Sequence, residues 1–122
     1  MGQARKISQA LVVGSREDSR QIASTLIEES GFHVIEAENV DEAVELLSQS
    51  GRRISFVFAD AASPEDARKL TALIARKWPS IRVLVSLDRA AMDRAELPAS
   101  ASRLNRPWRP LDLLIEAERA MN

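Results

Sequence analysis

Residues 55–64 read SFVFADAASP, and this stretch decides how the chain folds. Phe56, Val57, Phe58 and Ala59 are apolar without alternation, so an extended segment here presents apolar groups on both sides of a sheet. Strands of that kind belong to parallel sheets covered on both faces, whereas a sheet with one wet face alternates. The run ends on one carboxylate, Asp60, followed by small residues and Pro64. A carboxylate is costly to bury unless it is paired or takes part in chemistry. Asp60 is therefore either a strand-end cap or a functional group.

On either side, strand patterns alternate with helix patterns. SQALVV (8–13) is a short strand, and GSRED (14–18) supplies a turn and a helix start, with Ser15 the expected N-cap and Glu17 and Asp18 acidic in the first turn. Ile22, Ala23, Leu26 and Ile27 recur at helical spacing, and Gly31 stands where a left-handed terminating residue is wanted. HVIEA (33–37) is a second strand that opens on His33, expected at the surface or an edge. Asp41 is the expected cap of a helix whose Ala43, Val44, Leu46 and Leu47 face inward as far as Gly51. After ISFVFA (54–59), Pro64 opens a third helix bearing Leu70, Leu73 and Ile74, which ends before Trp78 and Pro79. IRVLVSL (81–87) is a fourth strand, and 88–97 is a short helix-capable stretch closed by Pro98. SRLN (102–105) reads as an edge strand. The last helix begins near Pro110 with Leu111, Leu114, Ile115 and 117–121 as its packing side. Strands each followed by a helical segment predict one α/β domain over residues 1–122, with a parallel sheet between two helix layers.

Composition removes several classes of function. A chain of 122 residues with net charge −1 fits a single domain without general attraction to polyanions. It has no cysteine and one histidine, so disulfides, thiolate chemistry and thiolate or imidazole metal clusters are excluded, and any metal must be held by oxygen. No apolar run of about 18 residues and no secretory leader pattern is present, so the expected location is cytoplasmic with no membrane partner. Acidic residues outnumber basic ones in 1–61, and the reverse holds in 62–122. So mild an asymmetry reads most simply as scatter over a solvated surface. Arg103, Arg106 and Arg109 surround a single aromatic, Trp108, which is too little to predict a nucleic-acid partner. Trp78 and Trp108 read as packing aromatics at helix ends. Four glycines without a Gly-rich phosphate loop argue against a nucleotide binder or a small flavodoxin-like enzyme.

In open parallel sheets, ligands sit outside the carboxyl ends of the strands, which directs attention to Gly14, Ser15, Asp60, Ser86 and Arg106. With Asp60-AASP after the third strand, Ser86 near the end of the fourth, NRPW (105–108) after the fifth, and EESGFHVIEA (28–37) and DEAVELL (41–47) at matching spacing, the chain resembles receiver domains of two-component response regulators over essentially its full length. The resemblance implies a flavodoxin-like (CheY-like) three-layer α/β/α sandwich, its five parallel strands in the order 2-1-3-4-5. It places Asp60 at the phospho-acceptor position, Ser86 at the position of a Ser/Thr hydroxyl, and Arg106 at the lysine of a Lys-Pro turn.

Three features depart from that family. Its two Mg²⁺-holding acids align with Gly14 and Ser15, its lysine with Arg106, and its switching aromatic with Arg103. Mg²⁺ is usually fixed by carboxylates plus phosphate oxygens, so Mg²⁺ is expected to bind weakly at best, and no other cofactor is implied. Arg106 then favours an ion pair with Asp60 over a grip on a phosphoryl group, and Ser86 either satisfies backbone or serves the site. The reading is an atypical receiver, a signalling and protein-interaction module and not an enzyme, with weak or no Mg²⁺-dependent phosphorylation. By resemblance its interaction face comprises the fourth helix, fifth strand and fifth helix, including Arg103, Trp108 and Arg109, and takes a histidine kinase, another signalling protein or a second copy of the chain. The alternative is a working phosphorelay receiver, phosphorylated on Asp60 by a histidine kinase, with Glu17, Asp18 or Asp88 recruited to a metal.

Overall fold

A computed structural model describes residues 8–121. The chain order is β1 (Gln9–Gly14), α1 (Glu17–Glu29), β2 (His33–Ala37), α2 (Val40–Ser50), β3 (Ile54–Asp60), α3 (Pro64–Lys77), β4 (Arg82–Asp88), α4 (Arg89–Arg94), β5 (Ser102–Arg106) and α5 (Pro110–Met121). All neighbouring strands pair in parallel, in the order β2-β1-β3-β4-β5. This is the flavodoxin-like α/β arrangement. β3 is central, and its apolar run of Phe56, Val57, Phe58 and Ala59 is buried on both sides.

Successive side chains of a strand face opposite ways, and the core divides accordingly. Leu11, Val13, Val57, Ala59, Val83 and Val85 pack beneath α2, α3 and α4 through Ala43, Leu47, Leu70, Ile74 and Met92. Ala10, Val12, Phe56, Phe58 and Leu84 pack beneath α1 and α5 through Ala23, Ile27, Leu113 and Ala117. His33 is exposed on β2, which is an edge strand, as is β5.

The helix ends correct several expectations. Asn39, not Asp41, caps α2: in extended conformation, its side chain accepts from the Glu42 amide at 2.8 Å, which leaves Asp41 in the first turn. Ser15 does not cap α1. Arg16 holds that position with no side-chain cap, and Glu17 and Asp18 complement the helix dipole instead. Ser63 caps α3 with Pro64 in the first turn, and Gly31 has φ 106, the left-handed geometry a side chain resists. α4 stops at Arg94, short of the span to Leu97, with Ala95 already in extended conformation three residues before Pro98.

α5 differs in rotation. Leu111 is 65% exposed and Ile115 is exposed, while Leu113 and Ala117 are buried. The chain reaches α5 from Trp108, whose ring stands edge-on to Phe58 at 5.8 Å. That anchor turns Leu113 and Ala117 onto the sheet. Ile22, at helical spacing with Ala23 and Leu26, is likewise exposed on α1.

Gly51 ends α2 for want of space rather than for a special φ. A Cβ there would abut the Trp78 indole and lie 2.6 Å from the Leu47 carbonyl oxygen. Gly51→Ala is expected to destabilise the domain by about 1–3 kcal/mol, the usual cost of overpacking, measured by urea denaturation.

Candidate functional site

Strand register aligns three residues along the carboxyl edge of the sheet: Gly14 lies beside Asp60, and Asp60 beside Ser86. Arg106 ends β5, two strands from β3, beside Asp88 of β4. Its side chain reaches across β4. One guanidinium nitrogen, Nη1, donates to Asp60 Oδ1 at 3.0 Å, and Nη2 donates to the Ala61 carbonyl at 2.9 Å. The planar fork of arginine suits this double contact, which a lysine ammonium would not reproduce. The Asp60 side chain is 8% exposed and that of Arg106 29%. The Arg106–Pro107 peptide bond is cis.

Burial raises the proton affinity of Asp60 above the ordinary carboxylate value, and this outweighs the opposing pull of Arg106, Ser86 and Arg16. Ser86 is fully buried, and its hydroxyl lies near enough to favour the ionised carboxylate. It does not reach hydrogen-bonding geometry, since Oγ has no partner among the described residues. The sequence-derived set of Gly14, Ser15, Asp60, Ser86 and Arg106 is thus gathered at one edge.

Two arginines complete the surroundings, and no motif singled them out. Arg16 lines the same cavity as Asp60, Asp88, Arg106 and Trp108, a space of about 580 Å³. Arg20, only 11% exposed, donates from Nη1 to the Gly14 carbonyl at 2.7 Å and from Nε to Glu36 Oε1 at 2.8 Å. It ties the β1–α1 turn to β2. On the other side of Asp60 a cavity of about 70 Å³ is lined by Gly14, Ser15, Asn39 and Ala62.

The Mg²⁺ implied by the family resemblance does not fit these residues. Asp60 Oδ1 and the Ala61 carbonyl are held by Arg106, and the Gly14 carbonyl by Arg20. Asp88 shares the large cavity but accepts from the Ala91 amide as the cap of α4, whereas Glu17 and Asp18 do not line that cavity. Among the described residues no three His, Cys, Asp or Glu side chains are grouped to hold a metal. Packing does not forbid a side chain at Gly14, where an added Cβ would make ordinary contact with Asp60 Cβ at 3.5 Å.

Arg103 is exposed on β5, and Arg109 is exposed with Nε 3.8 Å from Asp112 Oδ2. Trp108 is half-buried against Phe58, so only part of its ring meets solvent. Trp78 packs on the opposite core layer. No helix is long and apolar enough to cross a membrane among the described residues.

Among solved structures, the chain is similar to a response regulator receiver domain protein from Clostridium thermocellum, with 22% identity, 95% of each chain covered and a TM-score of 0.84. The fold is that of receiver domains. A signal receiver domain of an HD domain-containing protein from Pseudomonas fluorescens Pf-5 matches at 24% identity over 94% of each chain, TM-score 0.77. The receiver domain of NtrX from Brucella abortus matches at 21% identity, covering 93% of this chain and 98% of that one, TM-score 0.75. No protein-family model and no curated protein matches the sequence.

The sign of the Asp60 shift sets its effect on stability. Because the folded state holds the Asp60 proton more tightly than the unfolded chain does, the associated stability is complete below the ordinary value of 3.8 and is lost as pH rises through the raised folded value. Asp60→Asn, which removes the buried charge and keeps an acceptor for Arg106, is expected to stabilise the domain at pH 7 by about 1 kcal/mol. Arg106→Ala is expected to cost about 1–3 kcal/mol at pH 7, less than a fully buried pair because Arg106 is partly solvated. That loss shrinks at acidic pH, where Asp60 is protonated. Chemical denaturation of both variants between pH 4 and pH 8 measures the two effects.

Proposed function

We infer that the chain is an atypical receiver that works in two-component signalling as a protein-interaction module and is phosphorylated weakly or not at all in a Mg²⁺-dependent manner. The observation that carries this reading is the Arg106–Asp60 pair at 3.0 Å, facing Gly14 and Ser15 where the family has metal-binding acids. Phosphoryl transfer depends on neutralising charge on the equatorial oxygens. Here that neutralisation falls to the Arg106 guanidinium, already engaged with Asp60, and to the more distant Arg16. The fold relatives include receiver domains of NtrX and of the hybrid histidine kinase CckA, which supports a signalling role with a histidine kinase or another signalling protein as partner. Exposed Arg103 and Arg109, with the free part of Trp108, form the proposed contact face with α4, β5 and α5, for such a protein or for a second copy in a homodimer.

One feature favours a phosphorelay receiver instead. The cavity beside Asp60 is large and lined by Arg16, Arg106 and Asp88, which leaves room for a phosphoryl group beside two cations. Incubation with acetyl phosphate and Mg²⁺, followed by intact-mass measurement, separates the readings. Little or no mass gain is expected; a stoichiometric, base-labile gain of one phosphoryl group, absent in Asp60→Ala, would establish the phosphorelay reading. Gly14→Asp combined with Arg106→Lys is expected to tighten Mg²⁺ binding at least about tenfold, because it restores an acid next to Asp60 and frees the carboxylate from the guanidinium fork. Isothermal titration with MgCl₂ reads this, and an unchanged affinity would mean that the missing acid does not set metal binding.

A further inference from the structure

The pole opposite Asp60, at the amino ends of β3 and β4, carries a cluster of cations that the linear sequence does not show. Arg52 and Arg53 follow α2 and lead into β3, Arg76 and Lys77 end α3, and Arg82 opens β4 beside Phe56. All five are exposed, and none forms an ion pair among the described residues. No Asp or Glu occurs in 46–59 or in 67–87, the two segments that build this pole. Trp78 draws the segments together. Its indole closes over Gly51, and it shares with Ser48, Gln49, Arg52 and Arg53 a polar cavity of about 290 Å³. Lys77 Nζ stands 6.0 Å from its ring centre.

Complementing helix dipoles accounts for Arg76 and Lys77 in the last turn of α3. It does not account for Arg82 at the start of a strand, for two further arginines beyond the end of α2, or for the absence of carboxylates from these two segments. Unpaired like charges on a small surface repel one another, and a concentration of them raises the local potential for an anionic partner. Nucleic acid is the weaker candidate: the chain as a whole is at −1, and Lys77 already lies over the single aromatic, so no free stacking platform is present. Carboxylates suit the site better. Arginine forks pair bidentately with them, and Ser48, Gln49 and Ser50 at the rim add neutral hydrogen-bonding groups.

We propose that Arg52, Arg53, Arg76 and Lys77, gathered around Trp78, with Arg82 at the same end of the sheet, form a second docking surface that takes an acidic segment of a partner protein. It lies at the opposite end of the strands from Asp60 and does not depend on what happens there.

The test is a titration of the ¹⁵N-labelled chain with a synthetic poly-glutamate peptide, read by amide shifts. Saturable shifts are expected at 48–53 and 76–82 but not around Asp60, with affinity falling about tenfold or more between low and physiological-plus salt, as screening of exposed charges requires. Arg52→Glu with Arg53→Glu is expected to weaken binding at least about tenfold while leaving the thermal midpoint unchanged, both sites being exposed. Shifts that are absent or scattered over the surface would overturn the proposal. So would tighter binding of an oligo-dT strand at the same amides, or sedimentation showing that a second copy of the chain occupies them without peptide.

Discussion

The carboxylate of Asp60 lies at the end of a strand covered on both faces, and its burial raises its proton affinity even with cations close by. The groups around it answer that cost. Arg106 crosses an intervening strand to place one guanidinium nitrogen on the carboxylate and another on the next carbonyl. Arg16 adds a more distant charge, and the Ser86 hydroxyl stands alongside without completing a bond. The β1–α1 turn that forms the far wall is held by Arg20, which donates to the Gly14 carbonyl. The edge of the sheet is a charge-compensation device built of guanidinium groups.

This has a chemical consequence for the site. A metal ion is exchangeable and carries two charges that bridge a nucleophile and a phosphoryl oxygen, whereas an arginine tethered to β5 is permanent, singly charged and already hydrogen-bonded to Asp60. Under the proposed function, Asp60 keeps the placement of a receiver's acceptor while the Arg106 guanidinium competes for its carboxylate. In that proposal, coupling to a partner rests on the surfaces around the pocket, chiefly exposed Arg103 of β5 and Arg109 of the loop before α5.

Much of the fold was legible because it follows from patterns confined to one element. The unalternating FVFA run, the proline at the start of α3 and the glycine after α1 act within a strand or a turn, so they read correctly in isolation. Helix rotation did not. The stripe of α5 repeats at helical spacing whichever of Leu111 or Leu113 faces inward, and the choice was made by Trp108 locking against Phe58, some fifty residues away in sequence. The cap of α2 was misplaced for a related reason. Asn39 and Asp41 both suit the start of a helix, and only the backbone turning out of β2 selects the first.

The amino-acid order was enough to require a parallel sheet, to put Asp60 at its carboxyl edge, and to bring Gly14, Ser15, Ser86 and Arg106 to the same edge, since strand direction and parity follow from short-range pattern plus the rules of parallel packing, whereas the strand order came from the resemblance to receiver domains. It was not enough to show Arg16 and Arg20 at the pocket, or to turn a mild charge asymmetry into a basic pole around Trp78. Those features join side chains from different elements. Their proximity comes from how the helices close over the sheet, and in the linear chain each arginine looks like any other solvated charge.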